Sequence, residues 1–279
     1  GPDIGEAVDG LSIDLVVSRS VRDTAAALDV AAGYEPGDPY SATPQPASYL
    51  LASKEKPKRL RIGFATKKLD GKPLHPDCVA AVKRAAKLCT DLGHIVEEAS
   101  PDLDQALLVP RFMALWCANL AAIIDFIARL TGQTPSLDNL EGLTLGLYQA
   151  GKAVTASDYL QAKMVLHHAA LTAAKFHQKY DLWLTATLGS PPVELGVLNM
   201  DEQDAVKAFA PLIDYVPYTA MQNATGQPAI NLPLHWNAGG LPIGVQFVAP
   251  YGDELTLLQL ATELEQAAPW FERYETIKL

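Results

Sequence analysis

Residues 60–97 carry the pattern that most restricts what this chain can fold into. The run Leu60-Arg61-Ile62-Gly63-Phe64-Ala65 reads as a short strand. Pro76 then stands where the first position of a helix would be, with His75 beside it as N-cap neighbour. Val79, Val82, Ala86, Cys89 and Leu92 recur at helical spacing, Gly93 ends the helix, and His94-Ile95-Val96-Glu97 is the next strand. Strand, helix, strand in that order demands parallel pairing and a right-handed crossover. The loop from Thr66 to Lys72 lacks G-x-G-x-x-G, so the unit is not expected to hold a dinucleotide, and a nucleotide-binding protein is disfavoured.

The remaining pattern adds helices and a hairpin. Ser20 reads as an N-cap, with Asp23 three residues on and an apolar stripe of Ala26, Ala27, Val30 and Ala31 closed by Gly33. Residues 34–58 turn to Pro, Gly, Ser and Lys and read as a surface connection, with Lys54 to Arg61 a solvated basic face. Leu107 to Leu130 predicts a helix stopped at Thr131-Gly132, and Ser157 to Tyr180 a second one with Ser157 as N-cap. Asp181 to Thr185 is a buried-strand candidate leading into Gly189-Ser190-Pro191-Pro192, and a helical stretch follows near Asp201 to Met221. A turn at Gly226 feeds a strand at Ala229 to Leu232, and Gly239-Gly240 reverses the chain into Ile243 to Val248. Asp253 opens a last helix with Leu257, Leu258, Ala261 and Leu264 facing inward. The fold class is therefore α/β: a mixed sheet flanked by helices.

Composition bounds the function. The 279 residues include 22 Lys and Arg against 32 Asp and Glu, a formal charge of −10, with 49% hydrophobic and 19% charged residues. That acidic balance argues against nucleic acid or an anionic membrane as partner. No uninterrupted apolar run reaches the roughly 20 residues of a membrane span, so a cytoplasmic globular protein is expected. Cys78, Cys89 and Cys117 are odd in number and lack C-x-x-C spacing, which suggests neither a disulfide framework nor a zinc site.

Catalytic constellations are not legible from spacing. There is no H-E-x-x-H, and the adjacent His167 and His168 point to different sides of a helix, so no metal is expected. No G-x-S-x-G is present. Cys117 lies in the apolar helical run Leu115-Trp116-Cys117-Ala118-Asn119, where a thiol reads first as inert core. Trp116, Cys117 and Asn119 are also candidates for lining a pocket that accepts an acyl chain, as are Tyr215 and Tyr218 and, beyond them, Asn223.

Two end stretches go further. Ser18-Arg19-Ser20-Val21-Arg22-Asp23-Thr24-Ala25-Ala26-Ala27-Leu28-Asp29 resembles the segment that follows the active-site region in amidase-signature enzymes. Thr225-Gly226-Gln227-Pro228-Ala229-Ile230-Asn231-Leu232-Pro233, with Gly240-Leu241-Pro242-Ile243-Gly244-Val245-Gln246, resembles the C-terminal hairpin of the same family. The opening Gly1-Pro2-Asp3-Ile4-Gly5-Glu6 resembles the loop just after that family's nucleophile region. Within the family the chain is most similar to the branch that hydrolyses linear or cyclic amides, such as 6-aminohexanoate cyclic-dimer hydrolases. The resemblance frames both ends and fades over residues 103–198, expected as a variable helical substrate-pocket region.

The resemblance implies hydrolysis of a carboxylic amide to acid plus amine or ammonia, by a nucleophilic Ser, a second Ser on a cis peptide bond and a Lys, without cofactor. Those residues belong to a Gly- and Ser-rich signature upstream of the segment that matches Gly1. This sequence has no Ser-Ser pair, and its only Gly-Gly is Gly239-Gly240, so no catalytic residue is carried over. The expectation is that residues 1–279 form the C-terminal portion of a single amidase-signature domain, inactive and poorly stable alone. Its expected partners are a small-molecule amide and the missing N-terminal segment of the same protein, with a homodimer as a further candidate. An amidotransferase A-type subunit and a non-catalytic amide- or acid-binding relative are the alternatives.

Overall fold

The computed structural model describes residues 5–41, 43–202 and 204–274. The opening Gly1 to Ile4, which carries part of the resemblance, lies outside the described residues. Helix α1 (Val21–Ala31) starts at its predicted cap, with the Asp23 N–H donating to Ser20 Oγ at 3.1 Å. It buries Val21 and Ala25 instead of the expected alanine stripe, and Val30 is 88% exposed, because only one side of its first turns meets the core. Ala32 closes it, one residue before Gly33. Residues 34–58 are exposed over much of their length, yet they contain α2 (Tyr49–Ala52), whose Tyr49 is buried. The Asp29 carboxylate holds α2 down by accepting from the N–H groups of Tyr49 and Leu50 and from the Ser48 hydroxyl.

The β-α-β unit forms as read: β1 (Arg61–Phe64), α3 (Pro76–Asp91) and β2 (Ile95–Glu98), with Ile62 opposite Val96 in a parallel pair. His75 caps α3 through Nδ1, which accepts from the Asp77 N–H, and Pro76 sits just inside the helix. The basic residues flanking β1 are ion-paired: Lys56 with Glu263, Lys58 with Asp181, and Arg61 with Glu97.

A helical layer follows. Helix α4 (Gln105–Thr131) ends at Gly132 in the left-handed conformation that glycine tolerates best. Helix α5 (Gly142–Lys152) is absent from the sequence reading. Helix α6 (Ala156–Phe176) is capped by Thr155 in a reciprocal box with Asp158, so Ser157 lies inside the helix and is not its cap. Helix α4 is long and apolar enough to cross a membrane by length and composition. Here it packs along α5 and α6, and its Asp125 is ion-paired with Lys152 of α5 at 2.5 Å.

The chain returns to the sheet through β3 (Leu182–Ala186), passes α7 (Ala205–Tyr215) and α8 (Thr219–Thr225), and closes the hairpin β4 (Ala229–Trp236) and β5 (Pro242–Val248). Asp253 caps α9 (Glu254–Ala267), all four of whose predicted inward residues are buried, and α10 (Phe271–Tyr274) ends the description. The strand order is β2-β1-β3-β5-β4, parallel across β2-β1-β3 and antiparallel across β3-β5-β4, which is the mixed sheet expected. Helix α3 crosses β3, β5 and β4. On the Trp183 side, Phe176 of α6 and Tyr218 before α8 pack edge-on to the indole. Buried His94 ties the sheet to α9: its Nδ1 accepts from the Leu60 N–H at 3.1 Å, so its Nε2–H donates to Glu263 at 3.0 Å.

Two of the glycines show how differently a close approach can be built. A Cβ on Gly244 would stand 2.2 Å from Asn231 Oδ1, the end of an exposed side chain that can turn aside. A Cβ on Gly151 would stand 2.0 Å from the Cys117 carbonyl oxygen of α4, which is backbone and cannot swing away. Gly151→Ala is therefore expected to cost about 1–3 kcal/mol by overpacking, read as a lower urea midpoint. An unchanged midpoint would mean that α4 and α5 do not meet so closely. His177, just after α6, donates from Nδ1 to the Tyr180 carbonyl and is held below its ordinary pKa chiefly by burial. The unfolded chain then binds a proton that the folded chain refuses as pH falls below about 6.5. Stability is expected to drop over that window, and less steeply in His177→Gln, in a series of melting temperatures against pH.

Candidate functional site

A cavity of about 350 Å³ opens between α4, α7 and α8. Helix α4 lines it with Gln105, Val109, Phe112, Met113 and Trp116, at a spacing of four, three, one and three residues that keeps one helical face turned toward it. Phe112 and Trp116 stack at 5.8 Å between ring centroids. The opposite wall is Leu212, Ile213 and Val216 of the α7 end, with Ala220, Met221 and Asn223 of α8. Leu69, in the loop after β1, completes it.

Sheet topology explains the place. From β1 the chain crosses to β2 on one side, then returns to β3 on the other. The carboxyl ends of β1 and β3 are thus the point where strand order reverses, and open α/β sheets bind ligands outside such ends. Leu69 belongs to the loop leaving β1. The loop leaving β3 is tied to α7 by the Gly189 N–H, which donates to the Tyr215 carbonyl at 2.8 Å. Lys68, its own side chain nearly buried, reinforces the junction by pairing with the exposed carboxylate of Asp214 of α7.

Of the six residues proposed from the sequence, Trp116 and Asn223 line the cavity. Asn223 donates from Nδ2 to the Leu11 carbonyl at 2.8 Å, which leaves its side-chain oxygen as the acceptor. The other four are placed elsewhere. Cys117 lies one residue round the helix from Trp116, buried against Leu143 and Leu147 of α5. Asn119 donates to the Leu115 carbonyl at 2.9 Å and to the Tyr159 hydroxyl at 3.2 Å. Tyr215 is half-buried, and its contribution is the carbonyl that accepts from Gly189. Tyr218 is fully buried, and its hydroxyl donates to the Lys67 carbonyl at 2.6 Å. Gln105, Val109, Phe112 and Met113 escaped the sequence reading, although their helical spacing upstream of Trp116 was there to be followed.

Among the described residues that line the cavity there is no thiol, amine or carboxylate, and the one hydroxyl is that of Thr219. Burial pushes the thiols away from the nucleophilic form: Cys78 up to about 11, Cys89 up to about 12, and Cys117 upward as well. Burial likewise raises the Tyr218 phenol. Among the described residues no group of His, Cys, Asp and Glu is placed to hold a metal ion. His167 and His168 are both exposed, and His168 is taken up by the Met164 carbonyl at 2.8 Å. An apolar pocket with a few polar points at its rim can position a substrate and select its shape.

Comparison with known proteins identifies the scaffold. The family model described as Amidase matches residues 8–258. The chain is 32% identical to the 6-aminohexanoate-cyclic-dimer hydrolase of Paenarthrobacter ureafaciens over 274 residues, 95% of this chain and 56% of that protein. It therefore spans about half the length of the curated relatives it matches. A solved 6-aminohexanoate cyclic dimer hydrolase complexed with substrate superimposes with a TM-score of 0.84 over 91% of this chain and 55% of that one, at 32% identity. A bacterial aryl acylamidase of the amidase-signature family shares the fold, with a TM-score of 0.77 at 19% identity over 92% of this chain and 53% of that one. An α/β sheet of this order, matched to one family model over most of its length, leaves one attribution: the chain belongs to the amidase family.

Proposed function

We propose that this chain is the pocket-bearing part of an amide hydrolase, cleaving the C–N bond of a carboxylic amide to acid and amine. The observation that carries the reading is the apolar cavity at the switch point of an amidase-family sheet, walled by Trp116 and Phe112 and without thiol, amine or carboxylate among its described lining residues. Specificity then resides in this chain and bond cleavage in a segment outside it. That segment would bring a Ser nucleophile, a bridging Ser and a neutral Lys. The Lys amine takes the nucleophile's proton through the bridging hydroxyl as the Ser attacks the amide carbon, and backbone N–H groups hold the oxyanion. The proton passes to the leaving nitrogen, and water then hydrolyses the acyl-enzyme.

The substrate class follows from the walls. Aliphatic and aromatic side chains favour an amide with an apolar acyl or amine part, and the side-chain oxygen of Asn223 at the rim suits an N–H donor. The named activity of the similar hydrolase, on a cyclic dimer of 6-aminohexanoate, makes linear and cyclic aliphatic amides the first compounds to try.

Purified 1–279 is expected to hydrolyse no amide above the buffer rate, and measurable turnover by it would overturn the division of labour. In a protein that joins this chain to a catalytic segment, Trp116→Ala should lower kcat/KM for an apolar amide by about 10- to 200-fold, mostly through KM. An unchanged kcat/KM would show that the substrate does not occupy this cavity. Intact mass and N-terminal sequence of the natural product determine which form of the protein the assay should use.

A further inference from the structure

Of the α4 residues that line the cavity, Gln105 alone carries a side-chain amide; Val109, Phe112, Met113 and Trp116 continue the same face with aliphatic, thioether and aromatic groups. Its place in the first turn of the helix does not account for it. Asp104 already caps α4, its side chain accepting from the Leu107 N–H at 3.2 Å. The side-chain oxygen of Gln105 is buried and has no hydrogen-bond partner among the described residues. An unpaired buried acceptor is costly, and leucine or methionine here would extend the apolar stripe without that cost.

The rest of the lining limits what can meet this oxygen. Among the described residues around the cavity there is no Lys, Arg, His, Asp or Glu. An ammonium or carboxylate drawn into such a space would go uncompensated, which leaves a neutral donor as the partner. Asn223, on the opposite wall, presents a second oxygen, because its Nδ2 donates to the Leu11 carbonyl. Two acceptors across an apolar space of about 350 Å³ suit a ligand whose N–H groups are separated by an aliphatic stretch.

We propose that the side-chain oxygen of Gln105 accepts a hydrogen bond from a second, unreacting amide N–H of the substrate, and so selects neutral amides that carry such a group. The inference rests on the reading of the chain as the pocket-bearing part of an amide hydrolase. The scissile amide has to lie against the catalytic segment outside this chain, where its nitrogen receives a proton. The N–H that reaches Gln105 therefore belongs to a part of the substrate that does not react. Gln105 is on this account a specificity residue: it touches substrate and takes no part in bond cleavage.

The test compares 6-acetamidohexanamide with 6-(N-methylacetamido)hexanamide in a protein that joins this chain to a catalytic segment. Both offer the same primary amide, whose cleavage is read as ammonia, and they differ by one remote N–H exchanged for N–CH3. Expected for the unmodified protein is a kcat/KM at least about tenfold higher for the N–H compound. Gln105→Met and Gln105→Leu should bring that ratio to about one, mainly through a raised KM for the N–H compound. A merely structural role would lower both compounds alike and leave the ratio where it was. A ratio near one in the unmodified protein, or a ratio unchanged in a folded variant, would overturn the proposal. Circular dichroism checks folding, and failure of both variants to fold would also overturn it, since the protein itself would then need the Gln105 amide. Should the joined protein cleave neither compound, the functional reading fails, and calorimetric binding of the same pair decides the contact. Tighter binding of the N–H compound, lost in Gln105→Met, supports it; equal affinities or no binding sink it.

Discussion

Strand β3 is the seam on which the molecule depends. Leu182, Trp183, Leu184, Thr185 and Ala186 are each at most 1% exposed, so neither face of the strand nor either edge is left to water. On one edge it pairs parallel with β1, on the other antiparallel with β5. That change of sense joins a unit built by a crossover helix to a unit built by a hairpin. It also brings residues from 62 to 248 into one continuous core. Of the helices that precede β3, α6 covers the Trp183 face of the sheet through Phe176, while α4 faces α7, α8 and Leu69 across the cavity.

The sheet was legible because its determinants are local. Proline at the start of α3, glycine after α4, the Ser20 and Asp253 caps and the Gly239-Gly240 reversal each act within a few residues. Helix α5 was illegible for the opposite reason. Gly142, Gly146 and Gly151 each cost a helix about 1 kcal/mol relative to alanine, so within a region expected to be helical this stretch gave no element of its own. What outweighs that cost is tertiary: without a side chain at Gly151, α5 approaches the α4 backbone more closely than any other residue would allow. Spacing along one segment contains no information about such an approach.

The same distinction divides the site. Trp116 and Cys117 are neighbours in sequence and equally plausible as pocket residues, but one step along a helix turns a side chain by 100°. Trp116 looks into the cavity, and Cys117 looks at α5. Which face of α4 is the inner one depends on where α7 and α8 lie, and those helices are positioned from the sheet by Tyr218 on Trp183 and by the Gly189 contact to Tyr215. The direction of a side chain in the pocket is thus set by packing some hundred residues further along the chain.

The polar residues of the Trp183 face extend the argument from shape to chemistry. Thr185 lies opposite Gln246, and Gln246 opposite Asn231, so polar side chains run across β3, β5 and β4 on one face. Thr187 orients Asn231 by a hydrogen bond of 2.5 Å, and Gln246 reaches Gln222 of α8 at 3.3 Å. Yet Thr185 Oγ1 and Gln222 Nε2 remain buried without partners. An unpaired buried polar atom costs about 1–3 kcal/mol, and it would be cheaper to place valine or leucine there if the face were only a core. A sheet that is apolar on its α3 side and polar on this one is shaped for two different neighbours. The apolar side has its helices. The polar side has Phe176 and Tyr218 over Trp183, while Asn231 stays exposed at the edge.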